Sequence, residues 1–216
     1  MELVVLYDNE AEEGFKSGWG FSCLAGERLL FDVGADLDTL LFNMRRASVK
    51  LDRINKVVLS HGHMDHVGGI SILSMLRDVE VFVPNSFSDQ YKRMLASHQN
   101  VTLRGADKAE EIAEGLFTTG ELGGFIREQS VIVKTDKGLT VITGCSHPGL
   151  DIILGAASRF GDIYGVVGGF HDFSNLKALE GIELVVPCHC TARKKEILAL
   201  YSKTSIKCSA GCKIEI

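Results

Sequence analysis

The stretch Ser60-His61-Gly62-His63-Met64-Asp65-His66-Val67-Gly68-Gly69 decides how this chain is read. It sets three imidazoles and a carboxylate within residues 61–66. Neutral imidazole with carboxylate and water is the donor chemistry of a divalent cation, and it suits Zn, Fe or Mn without choosing among them. An extended His-x-His turns both rings to one side of the chain, so His61 and His63 can share one ion. Asp65 and His66, at the start of the helix that follows, can serve a second. Gly62, Gly68 and Gly69 permit tight turns and close backbone approach.

Working outward, the apolar run Val57-Val58-Leu59 leads into this cluster, and the same junction recurs three times. Leu139-Thr140-Val141-Ile142 runs into Thr143-Gly144-Cys145-Ser146-His147-Pro148-Gly149, and Ile163-Tyr164-Gly165-Val166-Val167 into Gly168-Gly169-Phe170-His171-Asp172. Leu184-Val185-Val186 runs into Pro187-Cys188-His189-Cys190. Six of the seven histidines thus sit just past the carboxyl end of an apolar strand, with His98 in a polar loop as the exception. α/β folds place ligand sites there because side chains escape the sheet and converge from several strands. If these strand ends lie side by side, they supply donors for two ions.

Val-, Ile- and Leu-rich runs predict strands near 2–7, 20–25, 28–32, 56–60, 80–83, 101–103, 130–134, 139–143, 163–167 and 183–186. Helical patterns fall between them, at about 36–47, 67–77, 87–97, 149–160, 174–180 and 191–202. The alternation predicts an α/β protein. Repeats, low-complexity tracts and linkers are not evident, which predicts a single domain over 1–216.

The chain has 216 residues, 45% hydrophobic and 24% charged, enough to bury a substantial core. A formal net charge of −5 argues against nonspecific binding to nucleic acid. Arg193-Lys194-Lys195 reads as a solvated helix face, with phosphate binding the lesser alternative. Residues 1–6 lack the pattern of a secretion signal, and no apolar run reaches membrane-spanning length, so the expectation is a soluble cytoplasmic protein without a membrane partner. The cysteines are Cys23, Cys145, Cys188, Cys190, Cys208 and Cys212, expected to be reduced in that compartment. Cys188, Cys190, Cys208 and Cys212 have the chemistry for a structural zinc or iron–sulfur site, but their spacing matches no strong motif and buried thiols are the preferred reading. Trp19 reads equally as core or as a pocket wall.

With these residues in view, the sequence resembles the metallo-β-lactamase superfamily. Its hallmark His-x-His-x-Asp-His is matched by His61, His63, Asp65 and His66. Leu29-Leu30-Phe31-Asp32-Val33-Gly34 looks like the family's strand and turn before that motif, where the aspartate supports the site rather than ligating. The segments TGCSHPG, GGFH and PCHCT look like the branch of dihydropterin-ribofuranosylaminobenzene-phosphate synthase-like metal-dependent hydrolases. The resemblance implies a four-layer αβ/βα sandwich with a two-metal site along one edge of the sheets. It implies His61, His63 and His147 on one ion, and Asp65, His66 and His189 on the other. Zinc is the first expectation for both ions, with Fe or Mn compatible. Many family members add a bridging carboxylate at a strand end after the third histidine. Here that region offers His171 beside Asp172, while Cys145 offers another candidate ligand, and the bridge stays unassigned. His171 is read as a substrate-facing acid in preference to a ligand.

A metal ion lowers the pKa of bound water from about 15.7 to roughly 7, and a pair can stabilise attacking and leaving oxygens. The leading expectation is therefore an enzyme that hydrolyses a small-molecule ester, preferably a phosphoester, by metal-bound hydroxide. Asp65 would hold an ion and orient the nucleophile, and His171 would protonate the leaving group. The alternatives are a pterin-related synthase or transferase, a lactone or thioester hydrolase, and a non-hydrolytic redox or sensor protein.

Overall fold

The computed structural model describes residues 1–216. In chain order the strands of the first half are β1 (Glu2–Tyr7), β2 (Ser22–Ala25), β3 (Leu29–Phe31), β4 (Lys56–Val58), β5 (Val79–Val83) and β6 (Val101–Gly105). Those of the second half are β7 (Glu110–Ala113), β8 (Leu116–Thr118), β9 (Val131–Thr135), β10 (Gly138–Thr143), β11 (Ile163–Gly169), β12 (Leu184–Cys188) and β13 (Lys213–Glu215). They form a seven-stranded sheet, β13-β1-β2-β3-β4-β5-β6, and a six-stranded sheet, β12-β11-β10-β9-β8-β7.

Alternation along the strands builds three cores. From β1, Leu3 and Val5 face the second sheet and pack with Phe31, Val133, Ile142, Val167 and Val186. The intervening Val4 and Leu6 face the other way, onto Leu40, Leu41 and Met44 of α1 (Leu37–Arg46). On the second sheet, Val141, Val166 and Val185 pack on Leu150, Ile153 and Leu154 of α4 and on Ile197 of α5, which span Leu150–Ala157 and Lys194–Leu200. Helix, sheet, sheet and helix thus stack as the αβ/βα sandwich.

Helix α1 starts where expected because Asp36 caps it, accepting from Thr39 N at 2.7 Å, with Asp38 in its first turn and Arg45 and Arg46 in its last. The helix predicted over 67–77 is not a single helix. Helix α2 is one turn (Met64–Val67), followed by a 3₁₀ helix at Ile70–Met75. The three-residue spacing of Ile70, Leu73 and Leu76 is the period of a 3₁₀ helix. Residues 174–180 are likewise reduced to a 3₁₀ turn at Leu176–Leu179. Helix α3 (Asp89–Ala96) is capped by Ser88 and lies within the expected range. Strands β7, β8 and β13 were not expected. Each has three or four residues and owes its extended form to its neighbour, as Leu3 pairs with Ile214.

Topology brings the polar clusters together. Strands β10, β11 and β12 run parallel, with Thr143 paired to Gly168 and Gly169 to Cys188, so all three end level. Strand β4 delivers the His61 to His66 stretch to the same rim from the other sheet, where Gln129 N donates to Ser60 O at 3.0 Å. The Gln129 side chain also donates to Leu59 O at 2.9 Å and Phe82 O at 3.1 Å, tying the two sheets at this edge.

Candidate metal centre

Two groups of donors converge at the rim. One ring nitrogen from each of His61, His63 and His147 lies within 4.8 Å of the others, and the donor atoms of Asp65, His66 and His189 meet the same limit. Within the first group, His61 Nε2 is 3.0 Å from His63 Nδ1. Within the second, Asp65 Oδ2 is 3.2 Å from His189 Nε2 and 3.8 Å from His66 Nε2. The groups adjoin, with the His61 and His66 ring centroids 4.3 Å apart.

The backbone is bent to achieve this. Asp32, Ser146, His171 and His189 all have left-handed φ, between 44° and 61°, a region that non-glycine residues seldom occupy. Asp32, just past β3, accepts from Ser60 N through Oδ1 and from Ser60 Oγ through Oδ2, both at 2.7 Å. Its Oδ2 is also 2.7 Å from His66 Nδ1. Because the single Ser60 hydroxyl proton goes to Asp32, the 2.9 Å contact between Ser60 Oγ and His61 Nδ1 puts a proton on that nitrogen. His61 and His66 therefore both turn Nε2 to the centre.

His189 is oriented the same way from the β1–β2 loop. Asn9 Nδ2 donates to His189 O at 2.9 Å, which aims Asn9 Oδ1 at His189 Nδ1, 3.0 Å away, so the proton sits on Nδ1. Asp8 Oδ2 accepts from His189 N at 2.7 Å. His189 Nε2 is then a bare lone pair facing the Asp65 carboxylate. The 3.2 Å approach is misaligned for a hydrogen bond, and this Nε2, like that of His147, is buried without a partner. Two acceptors that close require a cation or a proton between them. Burial first, aided by His66, pushes the His189 imidazolium down. Burial and neighbouring imidazoles push His61 far below the histidine range and His147 to about 4. Burial opposes ionising Asp65, yet His189 and His66 outweigh it and hold the carboxyl low. Neutral imidazoles at His61, His147 and His189 and an ionised Asp65 are the state a divalent cation needs, and His66 adds the Nε2 opposite its contact with Asp32, so the donor set suits divalent metal.

Sequence reasoning missed Glu128. Its Oε1 accepts from the backbone N–H groups of Gly144, Cys145 and Ser146 at 3.1, 2.9 and 3.0 Å, and its Oε2 from His147 N at 3.0 Å. This buried carboxylate shapes the whole TGCSH turn and so aims His147. Asp8 and Asn9 were missed too. The available signal was the pairing of polar residues with adjacent apolar strands, Glu128-Gln129 before β9 and Asp8-Asn9 after β1.

His171 stands apart from both donor groups. Its ring is exposed, 4.9 Å from His147, with Nδ1 3.1 Å from Asp172 Oδ1. Cys145 is buried, with Sγ 3.1 Å from His66 Nε2 and 3.2 Å from Cys190 Sγ. Trp19 is not core: it is 63% exposed and stands edge-on to His189 at 5.1 Å. Beside His63 opens a cleft of about 390 Å³ lined by Phe87, Tyr91, Phe125 and Arg127. Arg193, paired with Glu196, and Lys195 are exposed as expected of a solvated face, whereas Lys194 is only 15% exposed and turns inward to Asp8, Glu10 and the Cys208 carbonyl. All six cysteines are free, and Cys23, Cys188, Cys208 and Cys212 line the core between the sheets without forming a group of three converging donors.

Comparison with known proteins gives concordant findings. A family model described as Metallo-beta-lactamase superfamily matches residues 24–158. The 7,8-dihydropterin-6-methyl-4-(beta-D-ribofuranosyl)-aminobenzene-5'-phosphate synthase of Methanocaldococcus jannaschii is 28% identical, over 79% of this chain and 77% of that protein. The crystal structure of Tm1679, a metal-dependent hydrolase of the beta-lactamase superfamily, is similar with a TM-score of 0.81 and 31% identity, covering 100% of this chain and 99% of that one. YhfI from Bacillus subtilis, a metallo-beta-lactamase fold protein, has a TM-score of 0.72 at 14% identity over 99% of both chains, a likeness of fold alone.

Proposed function

This chain belongs to the metallo-β-lactamase superfamily, and from that premise we propose that its 216 residues form one catalytic domain, a two-metal hydrolase of small phosphoesters. The observation that carries the reading is the bare His189 Nε2 facing Asp65 Oδ2 at 3.2 Å, within one of two adjoining donor groups. His61, His63 and His147 would hold one ion and Asp65, His66 and His189 the other, with zinc preferred and iron or manganese compatible. Bound there, divalent ions supply a water acidified to near neutrality and positive charge for the attacking and leaving oxygens.

The chain's own groups divide the remaining work. Asp65, whose Oδ2 faces His189 and His66, would help hold an ion and orient the nucleophile. His171, exposed at the mouth beside His147, gives a ring proton to the leaving oxygen. The cleft beside His63 accepts the organic portion of the substrate on Phe87, Tyr91 and Phe125, while the Arg127 guanidinium pairs with its anionic group. A phosphorylated ligand is also in keeping with the Methanocaldococcus relative, whose name specifies a 5'-phosphate. No helix is long and apolar enough to cross a membrane, and six free thiols suit the reducing cytoplasm, where we place the protein.

The same relative supports a second reading, in which the site serves a synthase reaction. Metal content should be measured on protein purified without added metal, together with turnover of a phosphodiester, a phosphomonoester, a lactone and a thioester before and after chelation. About two ions per chain, the stoichiometry of a two-metal site, with chelator-sensitive phosphoester turnover is the expected result. Ions without hydrolysis of any ester would favour the synthase, and a metal-free protein that retains its turnover would overturn both.

A further inference from the structure

We propose that the Cys145 thiolate is a ligand shared by the two donor groups, so that the centre is a thiolate site and not solely one of histidine and aspartate. The inference rests on the two-metal reading and extends its ligand set. Cys145 Sγ converges with the ring nitrogens of His61 and His66, and also with His189 and Cys190, in each case within 4.8 Å. It therefore reaches a member of the His61, His63 and His147 group and two members of the Asp65, His66 and His189 group. Its distance to His66 Nε2, a nitrogen whose lone pair faces the centre, is 3.1 Å.

Position and rigidity agree with that role. Cys145 is 3% exposed, and its backbone N–H is fixed by Glu128 Oε1 at 2.9 Å, so the sulfur is held where the groups adjoin. The neighbouring strand end cannot supply a competing side chain. Gly168 and Gly169 close β11, and a Cβ on Gly169 would lie 2.3 Å from Gly144 O and 2.8 Å from Cys190 Sγ. The next polar residues, His171 and Asp172, are exposed and engage each other. A thiol that coordinates a divalent ion is deprotonated outright and binds zinc or iron in preference to manganese. The shared thiolate thus narrows the metal choice that histidine and aspartate leave open. Cys190 Sγ, 3.2 Å from Cys145 Sγ, acts as a positioning residue that donates its S–H to the thiolate.

The test uses the full chain loaded with cobalt(II) for absorption spectroscopy and with zinc for X-ray absorption. The wild type should bind about two ions, show a sulfur-to-cobalt charge-transfer band, and give a zinc–sulfur path near about 2.3 Å. C145S, close to isosteric, should lose the band and the sulfur path. C145D should keep both ions without either sulfur signal, which also guards against a variant that merely fails to fold. C190A should keep the band. A band that survives in C145S, or that disappears in C190A alone, would overturn the assignment. Two ions bound by the wild type with no sulfur signal would remove this inference and leave the two-metal reading intact, whereas failure to bind any ion would remove both.

Discussion

Asp32 Oδ2 lies 2.7 Å from His66 Nδ1, and both side chains are completely buried. Burial opposes a charge on His66, and the Asp32 carboxylate outweighs it and raises the imidazole's pKa. The contact fixes the His66 tautomer and its aim, and the same carboxylate holds Ser60 and, through it, His61. Asp32→Asn offers an amide that cannot accept at both oxygens. We expect zinc affinity to fall about 10- to 100-fold, the usual effect of removing a partner behind a metal-ligating histidine. Competition against a chromogenic chelator measures it, and an unchanged affinity would mean that Asp32 serves folding alone.

Glu128 makes a separate prediction, because it acts on the turn that carries His147 and Cys145. Burial pushes its carboxyl pKa up, and four backbone N–H donors work in the opposite direction. Glu128→Gln keeps the shape but must set an NH₂ against a backbone donor. The loss should be about 1.5–3 kcal/mol, the scale of a hydrogen bond to a charged group. Urea unfolding of the metal-free protein should show it, and metal titration should show weakened binding at the group containing His147.

The contrast between Asp65 and Asn9 explains how much was legible in the sequence. His61, His63, Asp65 and His66 announce themselves because covalent spacing alone brings them near one another. Their positions at strand ends followed from the apolar runs, and the α/β class from the alternation. Asn9 reaches His189 across 180 residues of chain, and Glu128 reaches the 144–147 turn only after β9 and β10 pair. Neither has a local pattern. Strand β13 eluded sequence reading for a related reason, since Lys213-Ile214-Glu215 is extended only because β1 receives it. Over 67–77 the ambiguity is one of period, since apolar residues three apart fit one face of a longer α-helix as well as the 3₁₀ helix that forms at Ile70–Met75.

Near the start of that segment, at Gly68, the chain approaches the turn after β3 too closely for a side chain. A Cβ there would sit 2.0 Å from Ala35 O and 2.7 Å from Met64 O, both backbone atoms. Gly68→Ala should cost about 3 kcal/mol, at the upper end of typical overpacking penalties, and should displace Asp65 and His66. Gly124→Ala is the control, because nothing lies within 4 Å of its Cβ position. Thermal unfolding of the two variants should separate them clearly, and equal midpoints would show that the close approach relaxes without cost.

His171 separates a proton donor from a ligand. If it gives a proton to the leaving oxygen, His171→Gln should keep full metal content while turnover falls roughly 10²- to 10⁴-fold, the range for general acid catalysis. The loss should shrink for substrates with acidic leaving groups, which depart without assistance. Loss of metal in His171→Gln, measured by mass spectrometry of the metals, would instead make His171 a ligand.

Arg127 stands in the cleft beside His63, half exposed, with Nη1 3.8 Å from the nearly buried Glu121 Oε2. At that distance the carboxylate steers the guanidinium without saturating its five donors, which leaves it able to take a phosphate. Removing a charge-assisted hydrogen bond costs about 1.5–3 kcal/mol, so Arg127→Ala should raise KM for a phosphomonoester on the order of 10- to 100-fold. kcat should change far less, because the contact is made equally in the bound substrate and the transition state. Arg127→Lys should recover part of the loss, as a point charge without the planar fork. The KM effect should weaken with added salt at this exposed position, and it should be absent for an uncharged lactone. Equal losses on charged and neutral substrates would show that Arg127 shapes the cleft rather than reading an anion.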